Sequence, residues 1–241
     1  MSHIEGRVAV VTGASAGIGA AISRDLAAAG AKLVLSARRQ DRLDGLAAEL
    51  GGSVATLAAD VADPSTPERL LALAKSRFGS VDILVNNAGI LRVAPLDAVD
   101  FEAIEAMIAV NYTAVVRTSY VFARAMKAQG SGIIVNLSSI GAGITAPGTG
   151  VYGGLKRALE IFTDSLRIEL VGTGVRAGFV APGTTATEVF EDMKAHGQPA
   201  WDSYVTPLKP EDVARAVHFL IDQPPHAAVP RVHVYAAGDA F

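Results

Sequence analysis

Seven short runs in this chain read as strands, and several of them are continuously apolar, without the in-out alternation of a strand with one wet face: Val8–Thr12, Lys32–Ser36, Val54–Ala59, Val81–Val85, Gly132–Leu137, Val175–Val180 and Arg231–Tyr235. A strand reads this way when both of its faces are buried, as in a parallel sheet covered by helices on either side. Longer, alanine-rich amphipathic stretches separate the runs, among them Ile18–Ala29, Arg39–Leu50, Pro67–Phe78, Tyr152–Val171 and Pro210–Ile221. The last begins with Pro210, Glu211 and Asp212, residues favoured in a first helical turn. Strand and helix in alternation predict an α/β fold with a doubly wound parallel sheet. No internal repeat or linker divides the 241 residues, so residues 1–241 are expected to form a single domain.

One segment breaks the rhythm. From Thr184 to Lys209 the chain is polar and irregular, and it holds Gly197, Pro199, Pro207 and the only tryptophan, Trp201. A connection that long inside a compact domain is functional or disordered. Leaving the carboxyl end of the sixth strand, it is expected to be a lid over a ligand.

Composition removes several functions. There is no cysteine, which excludes disulfides, thiolate metal sites and cysteine nucleophiles and is compatible with a reducing compartment. The net charge of -3 gives no footprint for nucleic acid or an anionic membrane. No apolar run approaches the length of a membrane helix, and the N-terminus lacks the order of a signal peptide, so a cytoplasmic protein is expected. The five histidines, His3, His196, His218, His226 and His233, form no ligand spacing, and no metal is expected. The phosphate-binding pattern of nucleotide kinases and ATPases, G-x-x-x-x-G-K-[ST], does not occur.

Directly after the first strand comes Thr12-Gly13-Ala14-Ser15-Ala16-Gly17-Ile18-Gly19, running into a helix. Small residues there let backbone N–H groups approach a pyrophosphate, which the helix N-terminus attracts. The second strand ends Ser36-Ala37-Arg38-Arg39, without the acid that would accept hydrogen bonds from a free ribose 2′-hydroxyl. A guanidinium instead binds a 2′-phosphate bidentately. This favours NADP(H) over NAD(H), with Arg38 as the principal partner and Arg39 secondary. The bland alternative is two solvated charges at a helix start, where positive charge opposes the helix dipole.

The spacing G-x-x-x-G-x-G resembles that of the short-chain dehydrogenase/reductase family, and further motifs follow in the family's order along nearly the whole chain. The resemblance implies a Rossmann-like, mostly seven-stranded, three-layer α/β/α fold. It places Asp60 and Val61, at the end of the third strand, against the adenine. It adds Asn87, Ala88 and Gly89 of Asn86-Asn87-Ala88-Gly89 after the fourth strand, and Pro182, Gly183, Thr185 and Thr187 after the sixth, around the nicotinamide and phosphates. With Gly13, Ser15, Gly17, Ile18 and Gly19 these form the expected cofactor site. It also implies a homotetramer or homodimer packed through the helices flanking the fifth strand.

Tyr152 and Lys156 are four apart on one helical face. An ammonium beside a phenol, together with an oxidised nicotinamide, favours the phenolate and is expected to bring its pKa, ordinarily about 10, toward the range where proton transfer is efficient. Ser138 and Ser139 end the fifth strand, where a hydroxyl can hold a substrate oxygen. By resemblance that residue is Ser139, with Ser138 bonding to backbone. Asn111, after the helix-like Phe101–Val110, matches the family position that bends the helix and holds a water relaying protons to the lysine. Lys156 and Tyr152 also face the nicotinamide ribose. Gly153-Gly154-Leu155 departs from the family's usual small residues plus serine, and the glycines suggest a close approach by a neighbouring helix, from this or another subunit.

The expected function is hydride transfer between NADP(H) and a carbonyl/alcohol pair, with Tyr152 as general acid/base and Ser139 and Tyr152 holding the substrate oxygen. Leu91, Val93, Ile140, Val189, Phe190 and Trp201 are expected to wall a pocket for a mostly apolar ketone, or else to be core. Arg92 is either an anion contact or a surface charge. Two alternatives stay open: a 3-hydroxy acid or 3-oxoacyl-thioester reductase of the same family, and a non-catalytic NADP(H)-binding sensor or scaffold.

Overall fold

The computed structural model describes residues 3–189 and 204–239. Seven strands, β1 (Val8–Thr12), β2 (Lys32–Ala37), β3 (Val54–Ala58), β4 (Ile83–Asn86), β5 (Gly132–Leu137), β6 (Val175–Pro182) and β7 (Arg231–Val234), form one sheet in the order β3-β2-β1-β4-β5-β6-β7. Every pairing is parallel. This is the doubly wound parallel sheet expected from the alternation, in the Rossmann-like, three-layer α/β/α form that the family resemblance implies. Strand ends near the site differ from the reading of the sequence: β2 and β4 each run one residue further, to Ala37 and Asn86. β3 stops two residues before Asp60, and β6 runs on through Pro182.

The helices are α1 (Gly17–Ala28), α2 (Gln40–Leu50), α3 (Thr66–Phe78), α4 (Phe101–Ile108), α5 (Ala114–Gln129), α6 (Gly150–Glu169) and α7 (Pro210–Ile221). Successive residues of each central strand feed opposite cores, which is why their sequences do not alternate with polar residues. Ala9 and Val11 of β1 join Leu26 of α1 and Val217 of α7 on one side. Val8 and Val10 join Phe122 of α5 and Leu166 of α6 on the other.

The strand order reverses between β1 and β4, so a crevice opens beyond their carboxyl ends, where doubly wound folds bind ligands. The first stretch of the irregular Thr184–Lys209 segment pairs with its last. Ala186 N donates to Leu208 O (2.8 Å) and Leu208 N to Thr184 O (2.8 Å), so the excursion leaves and rejoins the body at one point. Phe190 and Trp201, named as pocket walls, lie outside the described residues.

Candidate active site

The glycine turn is shaped by contact with β4's exit loop. Gly13 has φ +66°, and a Cβ there would come within 2.8 Å of Ala88 Cα. A Cβ on Gly19 would collide with Gly13 O. Asn87 locks the turn through its side chain, Nδ2 donating to Thr12 O (3.0 Å) and Gly13 O (3.1 Å). Thr12 Oγ1 in turn accepts from Asn87 N (3.1 Å) and Ala88 N (3.2 Å). Helix α1 starts at Gly17 with no side chain capping it and no acid in its first turn. Its first N–H groups therefore point, with the positive end of the helix dipole, into the crevice. Thr187 packs on Gly17, its Cγ2 3.1 Å from where a Cβ would stand.

At the end of β2 the two arginines differ. Arg38 is exposed. Arg39 reaches the glycine turn, donating to Ser15 Oγ through Nη2 (3.1 Å), and pairs with Glu188 (2.9 Å). Arg42 pairs with the same carboxylate, and these two guanidiniums, Arg42 foremost, hold the Glu188 carboxyl below the usual range. Glu188 was not legible as a site residue, since only the fold brings it to β2. Asp60 lies past β3, where its Oδ1 accepts from Ala62 N (2.8 Å) and its backbone carbonyl accepts from Thr66 Oγ1 (2.6 Å). Val61 follows it, half-buried.

The chemical end is buried. Asn111 sits in a π-helical turn, Ala109–Thr113, that joins α4 to α5. Such turns frequently mark functional positions. Its amide clamps the loop after β4, accepting from Ile90 N (2.9 Å) and donating to Ile90 O (2.7 Å). Gly89 lies between Asn111 and Lys156, since a Cβ there would stand 3.2 Å from Asn111 Oδ1 and 3.9 Å from Lys156 Nζ.

Lys156 Nζ donates to Leu137 O (2.8 Å) at the end of β5 and stands 5.8 Å from the centre of the Tyr152 ring. Burial lowers the Lys156 pKa to about 8. Burial also raises the Tyr152 phenol, which a hydrogen bond with Ser139 only partly offsets. The lowering expected from the ammonium together with an oxidised nicotinamide is thus not produced by the protein alone. Removal from water outweighs it, and Nζ is turned toward a carbonyl.

Ser139 Oγ accepts from Gly141 N (3.0 Å), and its hydroxyl is hydrogen-bonded with the Tyr152 phenol, so the two hydroxyls stand together at the pocket. Gly141 backs both hydroxyl residues, its Cβ position lying 3.2 Å from Ser139 Oγ and 3.3 Å from Tyr152 Cε1. Ser138 does not mainly bond to backbone as expected. It donates to Glu160 Oε1 at 2.8 Å, whereas Lys156 O is at 3.5 Å. Glu160 is 5% exposed and also receives Arg157 (3.0 Å). A second buried chain crosses the sheet, Asn86 Nδ2 donating to Asn136 Oδ1 (2.9 Å) and Asn136 Nδ2 to Thr163 Oγ1 (2.8 Å). Together they register β4 and β5 against α6.

The glycines between Tyr152 and Lys156 have different uses. A Cβ on Gly153 would stand 2.7 Å from Gly141 O, so the close neighbour is the short 3-10 helical turn Ile140–Gly143 of the same chain. Gly154 is exposed, with nothing within 4 Å of its Cβ position.

Ser139, Tyr152, Leu91, Ile140 and Val189 line a cavity of about 320 Å³, whose floor includes Ile18, Pro182, Gly183, Thr185 and Thr187. Val93 packs behind Leu91 instead of lining it. Arg92 turns back to Leu91 O (2.9 Å). The structure adds Ile144, Tyr204, Val205 and Asp239 to the wall, the last two drawn in from far along the chain.

A profile described as short chain dehydrogenase matches residues 7–198. The chain is 34% identical to a serine 3-dehydrogenase of Agrobacterium fabrum, over 96% of this chain and 94% of that one. It is 36% identical to sulfoacetaldehyde reductase 2 of Chromohalobacter salexigens, over 97% and 96%. A solved structure titled the closed form of serine dehydrogenase complexed with NADP+ superposes with a TM-score of 0.87 at 32% identity, covering 94% of each chain. The chain belongs to the short chain dehydrogenase family, whose members are NAD(P)-dependent oxidoreductases.

Proposed function

We propose that the protein is an NADP(H)-dependent oxidoreductase that interconverts a carbonyl compound and its alcohol, with Tyr152 moving the proton. The observation that carries this reading is that Ser139 and Tyr152 line one cavity whose floor adjoins the uncapped start of α1, with the buried Lys156 Nζ 5.8 Å from the centre of the Tyr152 ring. A binding module has no use for that trio.

The residues fit a dinucleotide. The glycine turn leaves a cradle that side chains would fill, α1 offers unpaired N–H groups, and no acid opposes a phosphate there. NADP(H) is preferred because Arg38 and Arg39 flank the end of β2, and a similar solved structure is titled as an NADP+ complex. Arg38, which is exposed, would be the principal partner of a 2′-phosphate, and Arg39, paired here with Glu188, would be the secondary one. Asp60 and Val61 border the adenine, while Pro182, Gly183, Thr185 and Thr187 border the nicotinamide.

When bound, the nicotinamide supplies or accepts the hydride. The protein does the rest. Ser139 and Tyr152 hold the carbonyl oxygen, and Tyr152 gives it a proton. Burial keeps the phenol protonated, which is the form that reduction needs. The Lys156 ammonium faces the growing negative charge from across the ring, and Asn111 fixes the loop bearing Gly89 against it. Oxidation runs these steps backward.

Relatives named serine 3-dehydrogenase and sulfoacetaldehyde reductase favour a second reading, a hydroxy acid or other acid-bearing substrate. Exposed Ile161, Ile168 and Val171 on and just after α6 favour a homo-oligomer, for which light scattering is the test. The lack of cysteine and the net charge of -3 fit the cytoplasm. The catalytic reading is tested by Tyr152→Phe. With NADPH and an aldehyde the wild type reduces, turnover is expected to fall by about 1,000-fold with NADPH affinity retained. Unchanged turnover would overturn it.

A further inference from the structure

The wall of the cavity is chemically one-sided. Leu91, Ile144, Val189 and Val205 make it apolar, and among the described residues that line it there is no Lys, Arg or His. One carboxylate is present, Asp239. It stands in the turn after β7, more than fifty residues in sequence from the loop it meets. Its Oδ2 accepts from Ala236 N (3.0 Å) and Thr184 N (3.3 Å), and its Oδ1 from Thr184 Oγ1 (3.1 Å). Gly183 leaves room for it, because a Cβ there would collide with Oδ2. The carboxylate is thus fastened to the Gly183–Thr185 loop on the cavity's floor and is not free to swing into solvent.

Placing an anion in an apolar cavity is unfavourable unless a cation or several donors meet it. Here the described wall offers no cation and a fixed negative charge instead. A cation suffers the same desolvation but gains from that charge. A neutral apolar molecule suffers neither effect.

We propose that Asp239 is a specificity-determining residue that selects substrates by charge, so that the site takes neutral, mainly apolar carbonyl compounds and rejects those bearing a carboxylate or sulfonate. This rests on the carbonyl–alcohol reading above and decides against its acid-bearing variant.

The test uses the full-length protein with NADPH and three aldehydes of one shape: methyl 4-formylbenzoate, 4-formylbenzoate and 4-(trimethylammonio)benzaldehyde. The ester is expected to exceed the carboxylate by about 100-fold in kcat/KM, with the cation between them. In Asp239→Asn the ester-to-carboxylate ratio is expected to shrink about tenfold, whatever happens to the absolute rates. The cation-to-anion ratio is read on the unaltered protein, so it stands even if the variant fails to fold. A ratio near one, or a preference for the carboxylate, would overturn the inference while leaving the enzymatic reading intact. No turnover of any of the three, with NADPH binding demonstrated, would overturn that reading and this inference with it.

Discussion

The two ends of the crevice are built on opposite principles. At the glycine turn the structure supplies backbone: unpaired N–H groups, a loop held by Asn87, and exposed ion pairs among Arg39, Arg42 and Glu188 that a phosphate can displace. At Tyr152 it supplies buried side chains whose ionisation is set by the loss of water. Exposed pairs exchange partners at little cost, whereas a buried charge cannot be moved without a large one. On the proposed reading, recognition occupies the wet end and proton transfer the dry end.

The contrast breaks first at the turn. Gly19→Ala puts a methyl group into Gly13 O, and NADPH affinity measured by fluorescence titration is expected to fall at least about 100-fold, because the cradle itself is distorted.

At the dry end, Lys156→Met should separate activity from stability. Turnover is expected to fall about 100-fold. Stability is expected to rise by about 1–2 kcal/mol, seen as a higher melting temperature, since a lysine shifted from 10.5 to about 8 carries a burial cost of roughly 3 kcal/mol against which the lost bond to Leu137 O is set. The sign follows from proton counts. Below about pH 8 the folded protein carries the buried ammonium and bears its full cost. Between about 8 and 10.5 the unfolded chain binds the extra proton, so stability due to this residue rises with pH. Activity runs the other way, with kcat/KM for reduction falling as pH passes about 8. Lys156→Arg, which keeps its charge, should remove that limb if it folds.

At the wet end the effects are smaller. Arg39→Ala is expected to raise the KM for NADPH about tenfold and leave that for NADH nearly unchanged. An equal change for both would place the 2′-phosphate elsewhere.

The smallest effects come from adjacent glycines in α6. Gly153→Ala meets Gly141 O and is expected to destabilise by about 1–3 kcal/mol and to slow turnover by disturbing the Ser139 loop. Gly154→Ala meets nothing within 4 Å in the single chain and is expected to stabilise it by about 0.5–1 kcal/mol with turnover unchanged; a loss of stability would show that the face of α6 that Gly154 shares with Ile161 and Ile168 is covered by a second copy.

The sequence by itself determined the strand and helix alternation, the parallel sheet, and the places where Gly13–Gly19, Ser139, Tyr152 and Lys156 had to stand. Local pattern carries these, because burial on both faces removes polar alternation and helical spacing puts residues 152 and 156 on one face. Only the tertiary structure decided what surrounds them. Glu188 on Arg39, Glu160 under Ser138 and Asp239 on the cavity floor are contacts between residues distant in sequence, and no periodicity announces them. The direction of the Tyr152 shift was decided there too, since desolvation depends on everything packed around the ring and not on the one cation four residues along.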